Sequence, residues 1–211
     1  VLDGIILPKK NKPEIAVMTK EQQLRLEKYM ITHPSFTGIG INISMYMGLR
    51  IGEVCSLQWK DIDLEKRILN VSKTIQRVQC RMGAKRTKLI ITEPKSETSK
   101  RTIPIPDCLL PVLREYKANG DIYVVSGKNK PVEPRTVQYR FAKMLHNADL
   151  PSFHYHSLRH LFATRCVELG FDVKTLSEIL GHSSVEVTLN RYIHSDMERK
   201  RTCMSLLSKC A

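Results

Sequence analysis

No run of about 18 apolar residues occurs in this 211-residue sequence, which excludes a membrane-spanning helix. The opening Val1-Leu2-Asp3-Gly4-Ile5-Ile6-Leu7-Pro8 lacks the basic, then apolar, then small-residue order of a secretory signal. It also lacks an initiator Met, so a longer parent protein is expected. The six cysteines (Cys55, Cys80, Cys108, Cys166, Cys203 and Cys210) are scattered without a C-x-x-C pair. That dispersal argues against a disulfide framework or a zinc site, and for free thiols in a reducing cytosol. There is no internal repeat, low-complexity tract or glycine-rich phosphate loop, so nothing points to a repeat array or a P-loop nucleotide site.

Acidic side chains are scarce too. There are 21 against 34 Lys and Arg, which leaves a net charge of +13 and a pI near 9.6. A surplus of that size points to a polyanionic partner, because each phosphate neutralised by Lys or Arg releases condensed counterions. A basic surface with no partner is the competing explanation. The length fits one domain, with short appendages at most, and suffices to bury a substantial core.

Residues 8–17 read as an exposed basic linker. Thr19-Lys20-Glu21-Gln22 has capping-box spacing ahead of Leu24, Leu26, Tyr29 and Met30, and predicts a helix start. The apolar stretch 39–47 predicts a second helix, stopped by Gly48 in the left-handed conformation. Arg50 follows at once, then a short helical stretch over 51–57 before Trp59. From about Arg67 the pattern changes. Residues 68–71, 88–91 and 101–105 are short, β-branched and bounded by polar turns, and predict three strands of a small antiparallel sheet. The last should be an edge, because Pro104 cannot donate to a ladder. Residues 74–87, with Arg77, Arg81, Lys85 and Arg86 around Met82-Gly83-Ala84, read as a basic hairpin or an irregular loop. The remainder is helical. Candidates cover 107–118, 134–147 with Pro134 near the first turn, 156–169 ended by Gly170, and 172–180 capped by Asp172 and ended by Gly181. Ser183-Ser184-Val185-Glu186 again has capping-box spacing and opens a helix through Tyr192.

Three short segments near the end carry the chemistry: His156-Ser157-Leu158-Arg159-His160, Leu180-Gly181-His182 and Asn190-Arg191-Tyr192. With Arg50 they supply two guanidiniums, two imidazoles and a phenol. Those groups can hold a phosphodiester, neutralise its transition state and attack it. Singly, each has an ordinary explanation: a surface salt bridge, a packed or solvated imidazole, a core tyrosine with a satisfied hydroxyl. A metal site at His154, His156 and His160 is set aside, because no carboxylate or thiolate stands at ligand spacing.

The segment Gly48-Leu49-Arg50-Ile51-Gly52-Glu53 resembles the first arginine box of the tyrosine recombinases, the integrase and Xer/Cre-like enzymes. His156-Ser157-Leu158-Arg159-His160-Leu161-Phe162-Ala163-Thr164 resembles their second box. Leu180-Gly181-His182-Ser183-Ser184 and Thr188-Leu189-Asn190-Arg191-Tyr192 resemble the third. The likeness spans about residues 18–195 and is nearest in detail to integrases of phages and conjugative transposons. One box alone is weak evidence, whereas four in the right order are specific.

The resemblance implies roles. Arg50 and Arg159 would fork onto non-bridging oxygens of the scissile phosphate, a geometry that planar guanidinium matches and Lys does not. His156 would assist proton transfer from the attacking phenol or hydrogen-bond the phosphate, and His182 would hydrogen-bond a phosphate oxygen. Tyr192 would be the nucleophile. Its free phenol, with a pKa of about 10, needs nearby cations or a proton acceptor at neutral pH. Lys95, on the turn 94–101, would protonate the departing 5′-oxygen, with Lys100 as rival. Glu53 would orient catalytic groups, or be an exposed carboxylate on a helix face. Arg77, Arg81, Lys85, Arg86, Lys100 and Arg101 are candidate DNA contacts. One phosphodiester replaces another, so the chemistry requires neither ATP nor a metal, and no cofactor is expected.

The expected fold is therefore α+β, a mainly helical catalytic domain with a small three-stranded antiparallel sheet. Its parts would be a basic linker (1–17) from a missing N-terminal DNA-binding region, a catalytic domain (18–195), and a helical tail (196–211). In relatives such a tail docks on a neighbouring subunit, and packing in cis is the alternative here. The implied protein is a bacterial, nucleoid-associated recombinase of double-stranded DNA that integrates or excises a mobile element as a tetramer on two sites. Accessory DNA-bending or excision factors are possible partners. A Xer-like resolvase of chromosome dimers, a relaxing topoisomerase and a non-catalytic DNA-binding module of the same fold remain the alternatives.

Overall fold

The computed structural model describes residues 17–79, 87–93, 99–182, 184–192, 197, 201 and 204–205. Helix α1 (Lys20–Thr32) starts at the predicted capping box. Thr19 Oγ1 accepts from the Gln22 amide, and the Gln22 side chain accepts from the Thr19 amide. Leu26 and Met30 turn one face of it into the core. Helix α2 (Phe36–Met47) begins one turn earlier than its apolar run suggests, because Ser35 Oγ caps it through the Gly38 amide. It is buried nearly all round and forms the central rod of the domain.

Gly48 ends α2 at φ 69°, and the short helix α3 (Ile51–Ser56) follows. A Cβ on Gly48 would come within 2.5 Å of Phe162 and 2.9 Å of Leu180, so the end of α2 lies directly against the later helices. Of the described cysteines, Cys55 and Cys166 are buried and Cys108 is exposed, all as free thiols.

The β-structure departs from expectation. Strands β1 (Ile62–Asp63), β2 (Ile68–Val71) and β5 (Arg101–Pro104) form one antiparallel sheet in the order β1-β2-β5. Strands β3 (Thr74–Gln79) and β4 (Thr87–Thr92) form a second, with Thr74 opposite Thr92 and Gln79 opposite Thr87. The segment 88–91 thus belongs to a separate hairpin and not beside the segment 68–71. Its sequence neighbour β3 captures its ladder bonds. The place in the three-stranded sheet goes instead to β1, two residues long and too short to read from a pattern. The proline-bounded β5 is an edge strand, as expected.

The chain then forms α4 (Leu110–Glu115) and α5 (Pro134–Asn147), which buries Val137, Phe141 and Leu145 at i, i+4, i+8. Tyr155 packs edge-on against Phe141, and its hydroxyl meets Ser44 Oγ at 2.8 Å, pinning the next helix to α2. Helices α6 (Ser157–Glu168), α7 (Val173–Leu180) and α8 (Val185–Tyr192) complete the described fold. Asp172 caps α7 and Gly181 stops it at φ 64°, both as predicted. Among the described residues no helix is long and apolar enough to cross a membrane.

Candidate active site

An α-helix leaves its last carbonyls without intrahelical donors, and cations are favoured beside them. At the end of α7 three arginines, remote from one another in sequence, meet three consecutive carbonyls. Arg101 Nε donates to Ile179 O at 2.6 Å, Arg159 Nη2 to Leu180 O at 2.7 Å, and Arg50 Nη2 to Gly181 O at 2.9 Å. Arg159 Nη1 also donates to Gly48 O at 2.8 Å, so one guanidinium ties the ends of α2 and α7 together. Arg159 is only 2 % exposed, and its two carbonyl bonds fix the guanidinium plane.

Glu53 is the counter-charge of this corner. Its Oε2 accepts from the Arg50 amide at 2.8 Å and its Oε1 from Arg50 Nη1 at 2.9 Å. Arg101 adds Nη1 to Oε1 at 3.1 Å and Nη2 to Oε2 at 3.0 Å, a fork on a carboxylate that is 4 % exposed. Burial by itself would raise the Glu53 carboxyl. The bonds and charge of Arg101, then of Arg50, outweigh it and hold the group below the usual carboxylate range. Glu53 is therefore a buried anion shared by two cations, and the exposed-carboxylate alternative is excluded.

His182 follows Gly181 directly. Its amide bonds back to Ser177 O at 3.1 Å, closing the α7 terminus, and its Nδ1 lies 2.7 Å from Thr188 Oγ1 on α8. That contact fixes the ring and links the corner to the helix that ends in Tyr192. Thr188 carries no sequence signal beyond its place in the third box; only the fold of the α7–α8 corner shows its partner. His156 sits exposed just ahead of α6, its ring edge-on to the buried His160 at 4.7 Å between centroids. A cavity of about 350 Å³ beside His182 is also lined by Lys100 and Lys174. Lys100 pairs with Glu93 at 2.6 Å.

The structure thus brings Arg50, Glu53, Arg159 and His182 to one corner, with Lys100 at its flank and His156 at the start of the helix bearing Arg159. Arg101 departs from its expected place among the DNA contacts. Its side chain is 6 % exposed, and its donors go to Glu53, Ile179 and Ser99. Arg77 is on the surface, paired with Glu133 and bonded to Thr87 Oγ1. Lys95, Arg81, Lys85 and Arg86 lie outside the described residues, as does the side chain of Tyr192.

This domain has the fold of solved integrases. It superposes on the Tn1549 transposon integrase, solved in complex with transposon right-end DNA, with a TM-score of 0.75 at 25 % identity, covering 96 % of this chain and 69 % of that one. The chain belongs to the phage integrase family, the tyrosine recombinases, whose family model matches residues 16–199. Among its relatives, a XerC-like tyrosine recombinase of Caldanaerobacter subterraneus is 32 % identical over 180 residues, covering 76 % of this chain and 46 % of the relative. The transposase of transposon Tn916 from Enterococcus faecalis is 27 % identical over 229 aligned positions, 99 % of this chain and 54 % of that protein. The chain thus spans about half the length of the curated relatives it matches.

Proposed function

We propose that this chain is the catalytic part of a site-specific DNA recombinase that cuts and rejoins strands through a 3′-phosphotyrosyl link at Tyr192. The observation that carries the reading is the gathering of Arg50, Arg159 and His182 at one helix-end corner. Tyr192 stands four residues, about one helical turn, beyond the Thr188 that holds His182. In the proposed reaction the Tyr192 oxygen bonds to phosphorus while the bond from phosphorus to the 5′-oxygen breaks. The phenolic proton passes to His156, and Lys95, with Lys100 as rival, gives a proton to the leaving 5′-oxygen. Arg50 and Arg159 stabilise the charge that grows on the non-bridging oxygens, and His182 donates to one of them. Attack by a second 5′-hydroxyl reverses the step. Bond energy is conserved between phosphodiesters, so these residues suffice without a cofactor.

Double-stranded DNA is the proposed substrate, in keeping with the +13 charge. Integration or excision of a mobile element is the preferred role, supported by the Tn916 and Tn1549 relatives. The XerC-like relative favours a second reading, resolution of chromosome dimers. By the same likeness, residues 1–17 would join a DNA-binding region, residues 18–195 form the catalytic unit, and residues 196–211 supply a docking tail for a four-subunit assembly.

A nicked suicide substrate carrying the protein's own site tests the proposal. Wild type should become covalently attached to the 3′ end. Tyr192→Phe should abolish attachment and keep noncovalent binding. Binding without attachment by folded wild type would leave only a DNA-binding module.

A further inference from the structure

The Arg101 side chain is buried in a corner where its partners among the described residues, Glu53, Ile179 and Ser99, come from three different parts of the candidate site. Its Nε holds Ile179 O, two residues before Gly181, whose own carbonyl is gripped by Arg50, and three before His182. Its Nη1 and Nη2 fork onto Glu53, which in turn holds the amide and guanidinium of Arg50. Nη1 also donates to Ser99 O at 3.1 Å, on the turn that bears Lys100 and, in sequence, Lys95. These bonds involve Nε and both terminal nitrogens of a side chain with five N–H donors, so its position is over-determined. A Cβ on Gly181 would lie 2.9 Å from Arg101 Nη1, so the helix end is shaped to admit this side chain.

We infer that Arg101 is a positioning residue for strand cleavage: it couples the lysine-bearing turn, the Glu53–Arg50 pair and the His182 corner into one geometry without touching DNA. The inference rests on the recombinase reading above. It replaces a phosphate contact by an internal clasp, and the two make opposite predictions. A phosphate contact, when lost, weakens binding and lowers its salt dependence. A lost clasp leaves binding in place and misaligns the reacting groups, where an error of about 1 Å can cost about 10²-fold in rate.

Lysine keeps the charge but cannot make the fork, so Arg101→Lys separates charge from geometry. Arg101→Met removes both. Each would be assayed for folding by circular dichroism, for DNA affinity by anisotropy across salt, and for attachment to the nicked substrate across pH. Both variants should fold, bind within about threefold of wild type with an unchanged salt slope, and attach about 10²-fold more slowly.

Arg101→Met should also show an acid limb absent from wild type. Without its main partner the buried Glu53 takes up a proton more readily and releases Arg50. The charged groups facing Glu53 are Arg50 from its own helix start, Arg101 from β5, and Asp61 and Lys73 across a small cavity. Adding Glu53→Gln should flatten that limb. Attachment at the wild-type rate would overturn the inference. So would binding that falls in step with attachment, or unfolding of both variants, which would leave Arg101 a stability residue alone. Failure of wild type itself to attach would instead sink the recombinase reading.

Discussion

Two arginines on strands of different sheets illustrate how little a residue's identity says about its use. Arg101 on β5 and Arg77 on β3 both belong to basic stretches and both were expected at a nucleic-acid surface. Arg101 is 6 % exposed, forked onto a buried carboxylate and bound to a helix-end carbonyl. Arg77 is 46 % exposed, on a hairpin, paired with the surface carboxylate of Glu133 and bonded to Thr87 Oγ1. In the first region, charge is used to fix backbone. In the second it faces solvent, where ion pairs contribute little to folding and remain exchangeable for other anions. Arg101 is tied to Glu53, Ile179 and Ser99 inside the corner, whereas Arg77 on the hairpin keeps its partners at the surface.

The largest test of that contrast removes the counter-charge. Glu53→Ala strands the Arg101 charge in the interior, and breaking a buried pair on one side costs about 3–5 kcal/mol. Urea unfolding at neutral pH should show a loss of that order, and a loss under about 1 kcal/mol would mean that the corner tolerates an unpaired guanidinium. Acid should do the same work gradually. The Glu53 carboxyl is held below its ordinary value, so its contribution is complete above the unfolded value of about 4.3 and disappears as pH falls through the lower folded one. The stability gap between wild type and Glu53→Gln should therefore be constant near neutrality and close below about pH 4. A gap that widened on acidification would contradict the sign of the shift.

A smaller effect is expected at the helix end. Gly181 has φ 64°, and an added Cβ would press on Arg101 Nη1 at 2.9 Å. Left-handed strain and overpacking together should cost about 1–3 kcal/mol in Gly181→Ala. Urea unfolding of Gly181→Ala and Arg101→Met, alone and combined, would divide the two terms. If the cost is unchanged without the arginine, the strain is all in the backbone.

The helices were legible because their ends are written in side chains with local partners: Thr19 and Asp172 as caps, Gly48 and Gly181 as stops. Which strands share a sheet was not, since pairing is decided between segments and β4 answers to β3. The family boxes picked out Arg50, Arg159 and His182 at the corner, but not the carbonyls that hold them or Thr188. Arg101 could have been read differently. Arg101-x-Ile103-x-Ile105 alternates, so the arginine shares a strand face with two core isoleucines. Parity alone would still mislead, because Arg77 shares a face with buried Ile75 and is exposed. The hairpin runs on past the core, and how far a strand outruns its core is a tertiary property.

The smallest effect on folding should come from Arg77→Ala, and it is the sharper for being small. Its partner Glu133 is exposed enough to stay solvated, so the urea midpoint should match wild type. What should change is DNA binding. If Arg77 exchanges Glu133 for a phosphate, the slope of log affinity against log salt should become shallower by about one, equally for specific and unrelated sequences. Anisotropy titrations at several salt concentrations would measure it, with Arg101→Met alongside at an unchanged slope. A slope unmoved by Arg77→Ala would make this arginine a partner of Glu133 and nothing more, and the contrast between the two strands would then be one of burial without a difference in task.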